Sequence, residues 1–265
     1  MTSPRYITVD LEATSGEPKD AHVVEWAAVV GGPAFTLYSF ETRTCYGALV
    51  KPPIAIPPET SAVHHIIDED VAECSTWAYE GACLRELFVK HPGSIAIAHN
   101  ANYERTVLAS LNLPCEWICT YKAALRVWPD APSHSNEGLR YWLKLGGGRK
   151  AYNRPHSALH DAIVTSELFN ALLLAGTSLE DMIAWANEPA LLPRCPLGDW
   201  RGKPWAEVDD GFLHWILRKI FDRDDVRFCA QRELDRREAE WRAQQREQEQ
   251  EEAHQEDDRR TGALF

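Results

Sequence analysis

Residues 5–12, RYITVDLE, constrain the fold more than any other stretch. Ile7, Val9 and Leu11 alternate with Tyr6, Thr8, Asp10 and Glu12, which is the period of a β-strand. A strand with one wholly apolar side must lie in a sheet covered on that side. The other side is harder to place. Residues two apart share a strand face, so Asp10 and Glu12 stand side by side. Two neighbouring carboxylates repel unless that face is solvent-bathed or a cation lies between them.

The rest of the chain supplies the sheet and its cover. VVEWAAVVG (23–31) reads as a second strand closed by Gly31 and Gly32. FTLYSFETRT (35–44) and YGALVKP (46–52) read as further strand, with Pro52-Pro53 and Pro57-Pro58 as breakers. A helical region is expected around 68–90, a short buried strand at 94–100 and a helix at 101–111. EWICTYKAALRVW (116–128) begins as a strand and turns helical. SALHDAIVTSELFNALLL (157–174) is the clearest helix, with Leu159, Ala162, Ile163, Leu168 and Leu172 on roughly one side and Ser157 placed to cap it. Strands first, then strands alternating with helices, predict an α/β domain over 1–176: a mixed sheet flanked by helices. Residues 177–230 are rich in turn formers and Trp and predict a small C-terminal module. Residues 231–265 hold seven Arg against eleven Asp and Glu and predict a charged tail, helical or disordered.

Two more segments carry acids at uncommon places. In AHNANYERTVL (98–108), Glu104 lies beside the apolar positions Val107 and Leu108 rather than opposite them. In HSALHD (156–161), Asp161 is fixed on a helix while His156 stands on the loop entering it. That arrangement suits a metal ligand with a movable general base. His160 is expected to be structural. Taken singly, each of these also reads as an ordinary surface residue.

As an ordered set, D-x-E on the first strand, HNxxYE opening a helix and HxxxxD entering a late helix resemble the DnaQ-like (DEDDh) superfamily of 3′-to-5′ exonucleases. The resemblance runs from residue 5 to about 175. It implies an RNase H-like fold, two divalent ions (Mg2+ or Mn2+) held by Asp10, Glu12, Glu104 and Asp161, and His156 as the base that activates water. AVHHIIDEDV (62–71) is similar to the family's segment beside the terminal nucleotide. By the same resemblance Leu11, Ala13, Thr14, His64, His65, Asn100 and Tyr103 are expected to bind substrate. EWICTYKAALRVWP and LGDWRGKPWAEV (197–208) look like the bacterial exodeoxyribonuclease X branch. Two positions depart from the family pattern: Glu104 stands where Asp is usual, and Ala13 where Thr is common.

The implied partner is a nucleic-acid 3′ end, DNA ahead of RNA and single-stranded ahead of double, with a 5′-mononucleotide as product. A net charge of −12 argues against bulk electrostatic binding of nucleic acid, but acids that hold cations invert that logic. The turn Arg201-Gly202-Lys203-Pro204, flanked by Trp200 and Trp205, reads either as a strand-binding element or as the edge of a Trp-packed core, the core being favoured. Nothing resembles a signal peptide or a membrane span, and the seven scattered cysteines suit reduced thiols in a cytoplasm. Cys115 and Cys119 lack a second pair, so zinc is not expected. Exoribonuclease activity, a catalytically weak binder and an interaction protein remain open alternatives. The tail has no a/d apolar seam for dimerisation.

Overall fold

The computed structural model describes residues 5–31, 43–146 and 156–262. Residues 35–42 of the expected third strand, together with Gly32 and Pro155, lie outside them. The chain divides into two compact units, 1–188 and 189–265.

The first unit is built on a five-stranded sheet of order β3-β2-β1-β4-β5. β1 (Tyr6–Ala13), β2 (Val23–Gly31) and β3 (Thr44–Leu49) are antiparallel neighbours, whereas β4 (Ile95–Ala98) and β5 (Glu116–Cys119) run parallel to β1. The antiparallel half needs no helical crossover. The parallel half needs helical crossovers. Helices α1 (Pro58–His64), α2 (Asp68–Val71) and α3 (Trp77–Lys90) precede β4, and α4 (Ala101–Val107) links β4 to β5, whereas α5 (Thr120–Val127), α6 (Asn136–Trp142), α7 (Ala158–Leu174) and α8 (Leu179–Ala186) follow the last strand. The region expected to be helical around 68–90 is thus two helices, and α1 precedes them. Pro58 was expected to break structure; it instead occupies the first turn of α1, where a missing N–H costs nothing.

Both faces of the sheet are covered, although the alternation in β1 required cover on only one. Ile7, Val9 and Leu11 pack with Trp26, Ala28 and Val30 against Leu84 and Phe88 of α3. On the opposite face, Tyr6, Ile95, Ile97 and Ile118 meet Phe169 and Leu172 of α7 and Met182 of α8. Further along that face the contact is made by small residues: Ala27 of β2 against Ala158 and Ala162 of α7. α7 is buried on nearly all sides rather than along one stripe. Leu159, expected on its apolar face, is instead 38% exposed.

The helix Leu179–Ala186 falls in the first unit, so the structural division lies after Glu188 rather than after residue 176. The second unit contains two 3₁₀ turns, α9 (Asp210–Lys219) and the 39-residue α10 (Asp224–Gly262). Its core joins Cys195, Trp205, Val208, Leu213, Ile216, Val226 and Cys229. Trp205 is buried, its indole N–H donating to the Leu192 carbonyl at 2.8 Å. Trp200 is half-buried, with the Lys203 ammonium 4.9 Å from its ring centre. No helix among the described residues is long and apolar enough to cross a membrane.

Candidate active site

The topology places the acids at one end of the sheet. β1 pairs with β4 only over Tyr6 to Thr8, so Asp10 and Glu12 stand past the end of that ladder. β4 ends at Ala98, and the chain turns into α4, which carries Glu104 in its first turn. α7 lies across the same face and brings Asp161, also from a first turn. The site therefore forms beyond the carboxyl ends of two parallel neighbours, where an open sheet leaves a crevice.

Ligand oxygens of Asp10, Glu12 and Asp161 all lie within 4.8 Å of one another. Such crowding costs free energy when the groups are charged. Burial, followed by Asp161, Glu104, Glu12 and Glu25, holds the Asp10 carboxyl well above its usual range. Burial, then Asp161 and Glu25, pushes Glu12 up to about 8. Glu104 is 5% exposed and also pushed up to about 8, by burial first and by Glu12 second. Asp161 is raised by burial, against the pull of His160 and His156. One oxygen of Glu104 is buried with no hydrogen-bond partner. An orphaned buried carboxylate oxygen is costly unless something absent from the protein chain satisfies it. Hard oxygen donors of this kind and number fit Mg2+ or Mn2+.

His156 is exposed, in a left-handed conformation (φ 62°), five residues before Asp161. Its backbone N–H is hydrogen-bonded to the Asp161 carboxylate. His160 is buried, with Nε2 2.8 Å from Glu137 and 4.0 Å from Asp161. Glu137, His160 and Asp161 also have ligand atoms within 4.8 Å of one another. There Glu137 is engaged by Arg140 at 2.9 Å as well as by His160, so its charge is already compensated.

A cavity of about 360 Å3 opens beside the acids, lined by Leu11, Ala13, His64, Asn100, Tyr103 and Glu104. Tyr103 forms a fixed wall, since its hydroxyl donates to the Ser15 carbonyl at 2.6 Å. Burial and the nearby carboxylates push its phenol up to about 12. His64 Nδ1 accepts the Ile66 N–H at 3.1 Å, which fixes the ring, and burial lowers its pKa. Two of the expected substrate residues do not line the cavity. Thr14 is buried and closes the β1–β2 turn, its hydroxyl accepting the His22 N–H at 3.0 Å. His65 is exposed at the end of α1 with φ 61°.

Glu25 stands at the site outside the D-x-E, HNxxYE and HxxxxD segments. It lies on β2 directly across from Glu12, and its Oε2 accepts the Ala158 N–H at 2.9 Å. Ser157, expected to cap α7, sits at the cap position but makes no side-chain cap bond. The available signal was an acid inside an apolar strand run, VVEWAAVVG.

The exonuclease family model RNase_T matches residues 7–169. Exodeoxyribonuclease 10 of Escherichia coli (strain K12) is 32% identical over 177 residues, covering 65% of this chain and 76% of that protein. A solved Exonuclease X in complex with 5′ overhanging duplex DNA superposes with a TM-score of 0.55 at 27% identity, covering 69% of this chain and 99% of that one. The nuclease domain of 3′hExo, a DEDDh family member bound to rAMP, shares the fold with a TM-score of 0.52 at 15% identity, over 66% of this chain and 96% of that one. The resemblance noted in the D-x-E, HNxxYE and HxxxxD segments thus extends to the whole first unit's architecture, and the chain belongs to the DnaQ-like family of 3′-to-5′ exonucleases.

Proposed function

We propose that this chain is a metal-dependent exonuclease that hydrolyses the terminal phosphodiester at the 3′ end of DNA, preferring single strands, and releases 5′-mononucleotides. The observation that carries this reading is the convergence of Asp10, Glu12 and Asp161 within 4.8 Å. The unsatisfied oxygen of Glu104 lies at the same end of the sheet. These four carboxylates would hold two divalent ions, which when bound neutralise phosphate charge and stabilise the leaving 3′ oxygen. Glu104 keeps the ligand type of the family's usual Asp and differs only in reach.

The chain's own side chains do the rest. His156 takes a proton from the attacking water, which requires its imidazole to be neutral. Exposure and loop placement let it reach the water, while its backbone N–H holds the Asp161 carboxylate in place. The terminal nucleotide enters the cavity beside Leu11 and Ala13, against the fixed Tyr103 wall and the His64 ring. The DNA assignment is supported by the Escherichia coli relative, an exodeoxyribonuclease, and by the Exonuclease X structure with duplex DNA.

The test is incubation with 5′-labelled single-stranded DNA, duplex DNA and RNA, each with Mg2+, Mn2+ or chelator, beside Asp10→Ala. A ladder shortening from the 3′ end, dependent on metal and on Asp10, is expected, fastest on single-stranded DNA. A faster RNA ladder would reassign the substrate. Products with 3′ phosphates would overturn the mechanism, and no ladder with binding intact would leave a nucleic-acid binder.

A further inference from the structure

We infer that Glu25 is a positioning residue: it fastens the N-terminus of α7 to β2 and so sets Asp161 and His156 against Asp10 and Glu12. The inference rests on the active-site reading above. Three observations carry it. First, Glu25 faces Glu12 across the β1–β2 ladder, so both carboxylates project from the sheet face that α7 covers. Second, the Glu25 carboxylate accepts the N–H of Ala158, the first residue of α7, at 2.9 Å. The cap residue Ser157 supplies no side-chain acceptor, so a strand 133 positions away in sequence takes that role. A carboxylate at a helix N-terminus also meets the positive end of the dipole. Third, the fastened residue is two positions from His156 and three from Asp161. Asp161 in turn closes the first turn through its N–H to Ser157 O, 3.0 Å, and accepts the His156 N–H.

Glu25 also raises the carboxyls of Asp10 and Glu12. Its place is explained if the bond to Ala158 fixes a helix whose first turn must be registered to a fraction of an ångström. A misplacement of about 1 Å at a catalytic group can cost roughly 10²-fold in rate.

The test compares Glu25→Gln with Glu25→Ala in the full chain. Gln keeps an acceptor for the Ala158 N–H and removes the charge, whereas Ala removes both. Mn2+ binding by calorimetry and single-turnover rate are read together, with thermal melts to establish folding. Glu25→Ala is expected to bind Mn2+ about tenfold more weakly and to lose roughly 10- to 10²-fold in single-turnover rate at saturating enzyme, with affinity for a single-stranded oligonucleotide within about twofold. Glu25→Gln is expected to recover most of both. Wild-type Mn2+ binding and rate in Glu25→Ala would overturn the inference. So would equal losses in the two variants, which would make the charge the operative feature. Should Glu25→Ala not fold, Glu25→Gln decides alone: near wild-type values support the bond, and a large loss overturns it. Asp10→Ala is run alongside. If it stays active, the active-site reading fails, whatever Glu25 does.

Discussion

At the scale of single residues, the site is a set of carboxylates that the described residues around it leave crowded. Asp10, Glu12 and Glu104 have carboxyls raised first by burial and then by neighbouring acids, the latter two to about 8. The sign follows directly. A carboxyl raised in the folded state binds more protons there than in the unfolded chain, so stability is lost as pH rises from the ordinary carboxylate range toward 8. The metal-free protein is therefore expected to melt at lower temperature at pH 8 than at pH 5. Mg2+ should restore more stability at pH 8 than at pH 6, because binding needs the deprotonated acids. Thermal melts across that range, with chelator and with Mg2+, check both trends; a chelated protein most stable at pH 8 would contradict the crowding. Asp10→Ala removes the most crowded acid. It is expected to raise the melting temperature in chelator at pH 8 while leaving under about a tenth of the wild-type rate. His156→Ala should cost roughly 10²- to 10⁴-fold in rate with the melt unchanged, since the side chain is exposed. His160→Ala should instead lower the melt, because His160 is buried against Glu137.

At the scale of elements, what could be read from the sequence was what local periodicity encodes. β1 and β2 have regular patterns, α7 is a long apolar-rich run, and the spacing D-x-E fixes which side chains share a strand face. Glu25 was illegible because its meaning depends on Ala158, 133 residues away, and on a register that no local pattern specifies. α1 was obscured by Pro57-Pro58, since proline breaks a helix inside but starts one at its first turn. Leu159 was misplaced because α7 is enclosed almost all round, so its pattern carries no single stripe. The close approach of α7 to β2 depends on Ala27, Ala158 and Ala162, all nearly or fully buried. Ala27→Leu is expected to cost about 1–3 kcal/mol by overpacking. It should also weaken Mn2+ binding, because the helix carrying Asp161 must move away from β1. Denaturant titration and calorimetry measure the two effects; lost stability with unchanged metal affinity would mean that α7 can shift without disturbing the site.

At the scale of the whole molecule, the second unit has its own core, to which, among the described residues, α10 contributes from its beginning. Val226, Cys229 and Ala230 are buried among Trp205, Leu213 and Ile216, with Leu234 packed against them. Arg237 then closes the module. Its guanidinium donates to the carbonyls of Ala206 at 3.0 Å and Val208 at 2.7 Å, and pairs with Glu233 at 2.7 Å and with Asp210. Beyond it the helix is sustained by exposed i,i+4 pairs such as Arg242 with Glu238, worth only a few tenths of a kcal/mol each. A truncation removing residues 243–265 is therefore expected to leave the melt of the second unit within about 0.5 kcal/mol of the full chain, as for surface changes generally. Arg237→Ala should destabilise that unit by about 1.5–3 kcal/mol, because it strands several carbonyls and the buried Glu233. Residue-resolved hydrogen exchange separates the outcomes, since protection at Leu213 and Ile216 reports this core alone. If the truncation collapsed that protection while Arg237→Ala spared it, the outer helix rather than its first turns would be holding the module together. The stability of α10 would then have to come from contacts beyond the core of its own unit, which exposed Arg–Glu pairs are too weak to provide.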